Sequence, residues 1–345
     1  MASERFIICI PRGCGFNDAM CQISVAHEFS IKTNRKLIID TRLSGIADDL
    51  SNYMILKDLS SEIVLKLSKS RLMQLNEMDC YPTEIEGRLD LIYHKFLATR
   101  SKKNSTWIHS TSFNKLRNIL LYIYEPSTEY SKLNRIKFIL YFLFARTKIF
   151  DFRLQNQINN TSTVIIYHQS GGGIQSIDAL NLFKLRIEIG VEINYRLKFL
   201  GKDYDAIHIR NTDYKTDYFT FLMNLKSKVF NRRVLLCTDD SSILPIAKTL
   251  LSDSTIETLY NCNDAKSLKS KLIPLHYQWN SSLDYRKEMN IRMLTDLVGL
   301  ATARRLFYSN LNYWKNEPYS GISGFSLLAD NLNKNRIVLD NWLNQ

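Results

Sequence analysis

Hydrophobic residues recur with two different periods along the chain, and their alternation predicts strands and helices in turn. Phe6–Ile10 is a short apolar run typical of a buried strand. Helical spacing follows over Ala19–Thr33, and a second apolar run ends at Asp40. Two strands joined by a helix form a βαβ unit, which we predict for this opening segment.

The pattern from residue 54 to 150 is mostly helical. Leucine and isoleucine spacings of three and four predict helices around Ser60–Met73, Leu89–Leu97 and Asn114–Tyr124. A strand is predicted at Thr163–Tyr167, and a long helix is predicted from Gln175 to about Leu200.

The second half of the chain alternates regularly between the two periods. The predicted strands are Asp205–Arg210, Arg233–Cys237, Thr255–Tyr260 and Arg305–Ser309, and the predicted helices are Tyr218–Val229, Ser242–Leu251 and Tyr285–Ala303. Such alternation indicates a parallel sheet covered by helices on both faces. We predict an α/β protein with two Rossmann-like domains facing each other across a cleft, an N-terminal domain at 1–195 and a C-terminal domain at 196–345.

Composition narrows the functional classes. The chain has 345 residues, of which 45% are hydrophobic, and only 12 glycines and 6 prolines, which favours an ordered protein. Its formal net charge of +12 favours anionic partners. No long basic run or zinc-finger spacing is present, so nucleic-acid binding is not favoured. The first apolar run is too short for a secretory signal, and we expect a cytoplasmic protein.

Several patterns resemble other kinds of site and are discounted. The six cysteines form no CxxC pair and the histidines form no HxxxH pair, so neither a zinc site nor a disulfide framework is expected. Asp203 and Asp205 have the DxD spacing of metal-dependent sugar transferases, but they precede their strand. The basic, apolar segment Lys132–Arg153 is typical of a core helix, with peripheral contact to an anionic membrane as the alternative.

Two motifs place polar residues where α/β sheets bind ligands. Arg12–Asp18 contains two glycines between a strand and a helix, which allows a phosphate to approach the helix N-terminus, although a plain tight turn has the same pattern. In Asp205–Asp213, strand alternation puts His208 and Arg210 on one face, with Arg210 at the carboxyl tip. Arg210 can bind a diphosphate there, or form a surface ion pair.

Two further motifs follow later strands. Thr238, Asp239 and Asp240 end a hydrophobic strand, where the carboxylates can bind a ligand or cap the next helix. Gly321–Ser326 places small polar residues before a helix and is a further candidate phosphate site.

Taken in order, these motifs resemble the nodulation-type and α-1,6-fucosyltransferase family and the related protein O-fucosyltransferases. Gly13–Asp18 resembles the family's opening glycine turn, and His208-Ile-Arg210-Asn-Thr-Asp213 resembles its HxRRxD signature. Thr238–Asp240 resembles its TDD strand end. Asp296 followed by Ser323-Gly324 resembles its last motif.

The resemblance implies two Rossmann-like domains of the GT-B type and an inverting transfer of fucose from GDP-fucose without a metal or other cofactor. By position, it assigns guanine to His208 and Asp296, and the β-phosphate to Arg210. The remaining donor-binding residues it assigns are Gly15, Asn17, Asp18, Asn211, Thr238, Asp239, Ser323 and Gly324. It places the catalytic carboxylate on Asp217, with Asp213 as the alternative.

One departure bears on the donor. The family often has a second arginine where this chain has Asn211, so a related transferase that uses another nucleotide sugar is one alternative hypothesis. An inactive module that binds a nucleotide or a glycan is another. The region Asn310–Ile322 has the spacing of an insertion. The expected acceptor is a glycan or glycolipid, whose contacts we expect within residues 41–175 and 310–322.

Overall fold

A computed structural model describes residues 4–11, 14–58, 62–81, 83, 86–87, 89, 154–168, 171–259, 282–314 and 317–343. The predicted helix at Asn114–Tyr124 and the basic segment Lys132–Arg153 lie outside these residues. So does the helix predicted at Leu89–Leu97, apart from Leu89 itself, and so do Arg12 and Gly13 of the opening turn.

The described elements alternate along most of the chain. The strands are β1 (Phe6–Cys9), β2 (Lys36–Ile39), β3 (Met54–Leu56), β4 (Ile63–Val64), β5 (Cys80–Tyr81), β6 (Val164–Tyr167), β7 (Phe183–Leu185), β8 (Asp205–Ile209), β9 (Tyr214–Lys215), β10 (Arg233–Thr238), β11 (Thr255–Glu257), β12 (Arg305–Tyr308), β13 (Asn310–Trp314) and β14 (Glu317–Ile322). The helices are α1 (Phe16–Thr33), α2 (Lys69–Asn76), α3 (Ser176–Leu180), α4 (Ile187–Leu197), α5 (Tyr218–Leu225), α6 (Ile243–Leu250), α7 (Leu283–Thr302), α8 (Gly324–Lys334) and α9 (Arg336–Leu343).

Contacts divide the chain into two compact units. The first unit comprises Met1–Pro11, Val25–Asp40 and Ser60–Gln169, and the second comprises Arg12–Ser24, Thr41–Leu59 and Ser170–Gln345. The domain boundary between residues 195 and 196 stays a prediction.

The first unit contains a five-stranded sheet in the order β4-β2-β1-β6-β5, and all its pairs are parallel. Its central strand β1 is almost completely buried, as an apolar run without alternation predicts. Arg35 is buried beside it and donates hydrogen bonds to the backbone oxygens of Asn160, Ser162 and Thr163. The predicted βαβ unit and the strand predicted at Thr163–Tyr167 are confirmed.

The second unit contains a four-stranded parallel sheet in the order β11-β10-β8-β12. One face of β8 and β10 presents Ile207, Ile209, Val234 and Leu236 to a buried cluster formed with α5 and α6. The alternate positions face other helices: His208 contacts Ser326 of α8, and Cys237 contacts Asp296 of α7. The predicted α/β class with parallel sheets is confirmed.

Two predictions of secondary structure were wrong. The helix predicted at Gln175–Leu200 is interrupted by β7, where Phe183 and Leu185 alternate with Lys184 and are fully buried in an antiparallel pair with β3. In Ser60–Met73 the chain forms β4 before α2 begins at Lys69, because pairing with the buried strand β2 overrides the local helical spacing. The region Asn310–Ile322 forms an antiparallel hairpin of β13 and β14, with β9 along β13.

The two carboxylates with DxD spacing are engaged by arginines at the amino end of β8. Asp205 is fully buried and accepts two hydrogen bonds from Arg305, at 3.0 and 2.5 Å. Arg232 lies 3.4 Å from the same carboxylate and donates at 2.6 Å to the exposed Asp203. The buried Asp205 therefore has a structural role at the sheet's amino edge, and the exposed Asp203 forms a surface ion pair there.

We predict that Asp205→Ala lowers the free energy of unfolding by about 2 kcal/mol. The loss is smaller than for a fully buried pair, because the guanidinium groups that lose their partner reach solvent. Chemical denaturation measures it. Asp203→Ala is the matched control, and we expect it to unfold near the wild-type midpoint. Equal losses in the two variants would contradict this account of Asp205.

Candidate functional site

The carboxyl ends of β8 and β10 open into one cavity of about 810 Å³. The first turns of α1 and α8 and the loop Gly171–Ile174 also line it. Every lining residue belongs to the second unit. A cavity of this size accommodates a nucleotide-sized ligand, and the carboxyl edge of a parallel sheet is where open α/β folds bind ligands.

Most of the predicted site residues line this cavity. They are Gly15, Asn17, Asp18, His208, Arg210, Asp213, Thr238, Asp239, Asp296, Ser323 and Gly324. Asn211 and Asp217 do not line it. The buried Asn211 bonds to neighbouring loops, and the exposed Asp217 accepts a hydrogen bond from the Thr220 backbone N–H and caps α5.

Arg210 lies among carboxylates at the tip of β8. Its guanidinium donates to Asp213 at 2.5 Å and lies 3.7 Å from Asp239. It also lies over the Tyr214 ring, 5.8 Å from the ring centre. The two carboxylates orient a cation that faces the cavity, where an anionic group of a ligand would meet it.

A short hydrogen-bond network holds the loops after β8 and β10 together. Asp239 accepts from the Asn211 backbone N–H at 2.7 Å and from the Thr212 hydroxyl at 2.5 Å. The Asn211 amide donates to Asp240 at 2.8 Å. Burial raises the pKa of Asp239, and the nearby Arg210 opposes that rise. Asn211 and Asp240 thus act on the loop geometry, as the capping interpretation of Asp240 also implies.

The glycine turn before α1 packs closely against two other glycine segments. The Asn17 side chain accepts from Ser176 at 2.7 Å and donates to the backbone oxygen of Gly173 at 3.4 Å. A Cβ atom added at Gly324 would lie 2.7 Å from the Asn17 amide nitrogen, so only glycine fits there without a shift. A Cβ atom at Gly15 would meet nothing within 4 Å. The backbone at Gly15 is therefore open to a ligand.

His208 and Asp296 lie on the side of the sheet that faces α7 and α8. Burial and the charge of Arg210 lower the pKa of His208 to about 3, so its ring is neutral. Its Nδ1 lies 2.6 Å from the Ser326 hydroxyl. Burial raises the pKa of Asp296 to about 7, opposed by its hydrogen bond with the Cys237 thiol and by Arg292. A neutral ring and a carboxyl group that ionises near neutrality suit a ligand with several N–H donors.

Sequence reasoning missed part of the lining. The loop Gly171–Ile174 was visible as a glycine run, but nothing in the sequence placed it beside the opening turn. Cys14 and Cys237 belong to the recognised motifs and Tyr214 directly follows one, yet none of the three was assigned a role. Gly45 and several apolar residues also line the cavity: Phe16, Met293, Leu311, Ile322, Phe325 and Leu327.

Searches for a metal site and for a membrane span give negative results within the described residues. No group of three or more His, Cys, Asp or Glu side chains there could hold a metal ion. No helix in that part of the chain is both long and apolar enough to cross a membrane.

Comparison with known proteins gives matches among solved structures. The fucosyltransferase NodZ from Bradyrhizobium matches with a TM-score of 0.52 and 16% identity, over 95% of this chain and 92% of that chain. NodZ α-1,6-fucosyltransferase co-crystallised with GDP matches with a TM-score of 0.51 and 16% identity, over 96% and 93% of the two chains. No protein-family model and no curated protein matches the sequence. At this identity, the likeness shows that the chain shares the fold of these structures.

The raised pKa of Asp296 predicts a pH-dependent effect of Asp296→Asn on stability. The unfolded chain ionises this carboxyl above its ordinary pKa of 3.8, whereas the folded protein keeps the proton up to about pH 7. Proton binding to Asp296 therefore stabilises the folded wild type at low pH. That stabilisation is lost as pH rises from about 4 to 7, and the variant has no such loss.

Melting temperatures of both proteins between pH 4 and 8 test this prediction. We expect the difference, variant minus wild type, to increase with pH and to level off above pH 7. A difference that stays constant over this range would contradict the raised pKa.

Proposed function

We propose that this protein is an inverting, metal-independent fucosyltransferase that moves fucose from GDP-fucose to a hydroxyl group of a glycan. The observation that carries the proposal is the single cavity that brings Arg210, His208, Asp296 and the Gly15–Asp18 turn together at the carboxyl edge of a parallel sheet. The shared fold with NodZ, including a structure co-crystallised with GDP, supports the choice of donor.

The proposed guanine site consists of His208 and Asp296. Guanine presents two neighbouring N–H donors, which an ionised carboxylate accepts as a pair, and this favours guanine over adenine or uracil. The Asp296 carboxyl lies on α7, and the Cys237 thiol on β10 fixes its position at 3.5 Å. The Nδ1 of the neutral His208 ring is engaged with Ser326, which leaves Nε2 as the ring nitrogen for the base.

The proposed diphosphate site consists of Arg210 and two helix N-termini. Helix α8 begins at Gly324 after Ser323, and α1 begins at Phe16 after the open backbone of Gly15. The first N–H groups of a helix have no partner within it and attract anions. In this proposal the guanidinium and the N–H groups balance the charge of the leaving GDP, which is the task that a metal ion performs in other transferases.

Asn211 bears on the donor sugar. Where the resemblance leads one to expect a second arginine, this side chain is buried and bonded to Asp240 and to the Thr216 backbone. It connects loops and adds no cation to the cavity. This observation favours, as a second candidate, a related GT-B transferase that uses another nucleotide sugar.

The remaining parts of the proposal follow from the family resemblance and the charge. They are a GT-B arrangement of two domains, a glycan or glycolipid acceptor, and a cytoplasmic location with peripheral contact to an anionic membrane. The net charge of +12 is compatible with that contact.

We predict selective stabilisation by guanine nucleotides. In the presence of EDTA, GDP and GDP-fucose should raise the melting temperature, whereas UDP and ADP at equal concentrations should not. Asp296→Asn should weaken this selectivity, because the amide replaces one acceptor with a donor. An equal response to all four nucleotides would argue for another donor. A response that needs added Mg²⁺ would contradict the proposed metal independence.

A second prediction concerns the leaving group. Arg210→Ala should lower the rate of transfer by about 10²–10³-fold, because it removes the cation that stabilises the departing diphosphate. Arg210→Lys is the matched control, and it should retain more activity because the charge remains but the bidentate geometry is lost. Turnover is measured as GDP released from GDP-fucose, together with a melting curve that verifies folding. Wild-type turnover in the alanine variant would overturn this role.

A further inference from the structure

Among the described residues, four carboxylates line the cavity, and the one on Asp18 is bonded only to its neighbour in sequence, Asn17. We propose that Asp18 is the general base that takes the proton from the acceptor hydroxyl group. This inference rests on the proposed function. It moves Asp18 from the donor-binding residues to the group that contacts the reacting hydroxyl.

The two carboxylates that the family resemblance assigns as catalytic already have other hydrogen-bond partners. Asp217 is exposed, does not line the cavity and accepts from the Thr220 N–H at 3.2 Å as the cap of α5. Asp213 lines the cavity, but the Arg210 guanidinium donates to it at 2.5 Å. One Asp213 carboxylate oxygen is thus already engaged in a short charge-assisted hydrogen bond.

The other two carboxylates also have partners. Asp239 accepts from Asn211 and Thr212 and so fixes the loop after β8. Asp296 bonds to the Cys237 thiol at 3.5 Å in the proposed guanine site. Both carboxylates therefore already have roles, Asp239 in the loop geometry and Asp296 in the proposed guanine site.

Asp18 differs from all four of these in its surroundings. Its one side-chain hydrogen bond among the described residues comes from the neighbouring Asn17, at 3.3 Å, and it forms no ion pair there. Glycines from two other segments make room for it: a Cβ atom at Gly172 would overlap its carboxylate, and one at Gly324 would lie 3.4 Å from it. The carboxylate therefore lies where three chain segments converge on the cavity.

The electrostatic setting suits a base. Burial raises the pKa of Asp18, while the bond from Asn17 and the charge of Arg210 oppose the rise. The thiols of Cys14 and Cys21 lie near it: burial, and secondarily the charge of Asp18, raises their pKa values, so they stay neutral near pH 7. The glycine segments add no charge. A carboxylate with a raised pKa accepts a proton more readily than an exposed one.

The proposed step balances as follows. The acceptor oxygen forms a bond to the anomeric carbon of fucose while its proton moves to the Asp18 carboxylate. The bond between the anomeric carbon and the β-phosphate oxygen breaks, and its electron pair leaves with GDP. Asp18 then returns the proton to solvent. Arg210 stabilises GDP, so the proton acceptor and the charge stabiliser are different residues.

The test uses water as the acceptor, so no glycan has to be known. GDP release from saturating GDP-fucose is measured between pH 5 and 9 for the full-length wild type, Asp18→Asn, Asp213→Asn and Asp217→Asn, and GDP binding is measured by thermal shift. The Asn side chain has the same shape as that of Asp18, and its amide oxygen can still accept the hydrogen bond from Asn17. Asn also caps a helix as well as Asp does, so Asp217→Asn should keep α5 intact.

We expect Asp18→Asn to bind GDP like the wild type and to release GDP about 10²–10⁴-fold more slowly. The wild-type rate should rise with pH as Asp18 ionises, and the rate of the variant should not. In a further variant, Asp18→Ala, sodium formate should restore part of the rate, because the small carboxylate can occupy the space that the side chain leaves. Asp217→Asn should hydrolyse GDP-fucose at the wild-type rate.

Other outcomes separate this inference from the proposed function. Wild-type release by Asp18→Asn would overturn the role of Asp18 and leave the transferase intact. Loss of GDP binding in that variant would return Asp18 to the diphosphate site. A wild-type protein that binds GDP but releases none from GDP-fucose would count against any base in this cavity. A wild-type protein that does not bind GDP would overturn the proposed function itself.

Discussion

The hydrogen bonds between the loops that follow β8 and β10 are the constraint on which the cavity depends. Asn211 and Thr212 bind Asp239 and Asp240, and these bonds hold two strand ends that are far apart in sequence. Arg210 takes its direction from the same loops, because Asp213 and Asp239 flank its guanidinium. Without these bonds, the Arg210 cation that lines the cavity would lose the two carboxylates that orient it.

Hydrogen-bond partners distinguish the acidic groups of the cavity from one another. Asp18, Asp239 and Asp296 all have raised pKa values because protein replaces water around them, yet their partners differ. Asp239 has hydrogen-bond donors from a loop, Asp296 has a thiol, and Asp18 has a neighbouring amide. Environment, more than residue type, thus separates the carboxylate that positions a loop from the one proposed to contact guanine and the one proposed to accept a proton.

The sequence predicted local features well where the pattern and the tertiary structure agree. The strands at β1, β2, β6, β8, β10 and β12 were predicted within a few residues, because each is a short run rich in apolar residues with a turn signal at its end. The interruption by β7 was not predicted, since its three residues carry little periodic signal and their conformation depends on pairing with β3. The hairpin at 310–322 was identified as an insertion, but its pairing with β9 depends on contacts distant in sequence.

The sequence by itself determined the βα alternation, the α/β class and the order of the glycine, His-Arg and Asp-Asp motifs, because these depend on residues close together in the chain. Only the tertiary structure decided that the loop at Gly171–Gly173 meets Asp18, that Asp217 caps a helix outside the cavity, and that Asn211 bonds to Asp240. Those relations join residues separated along the chain, and packing and hydrogen bonding between distant segments bring them together.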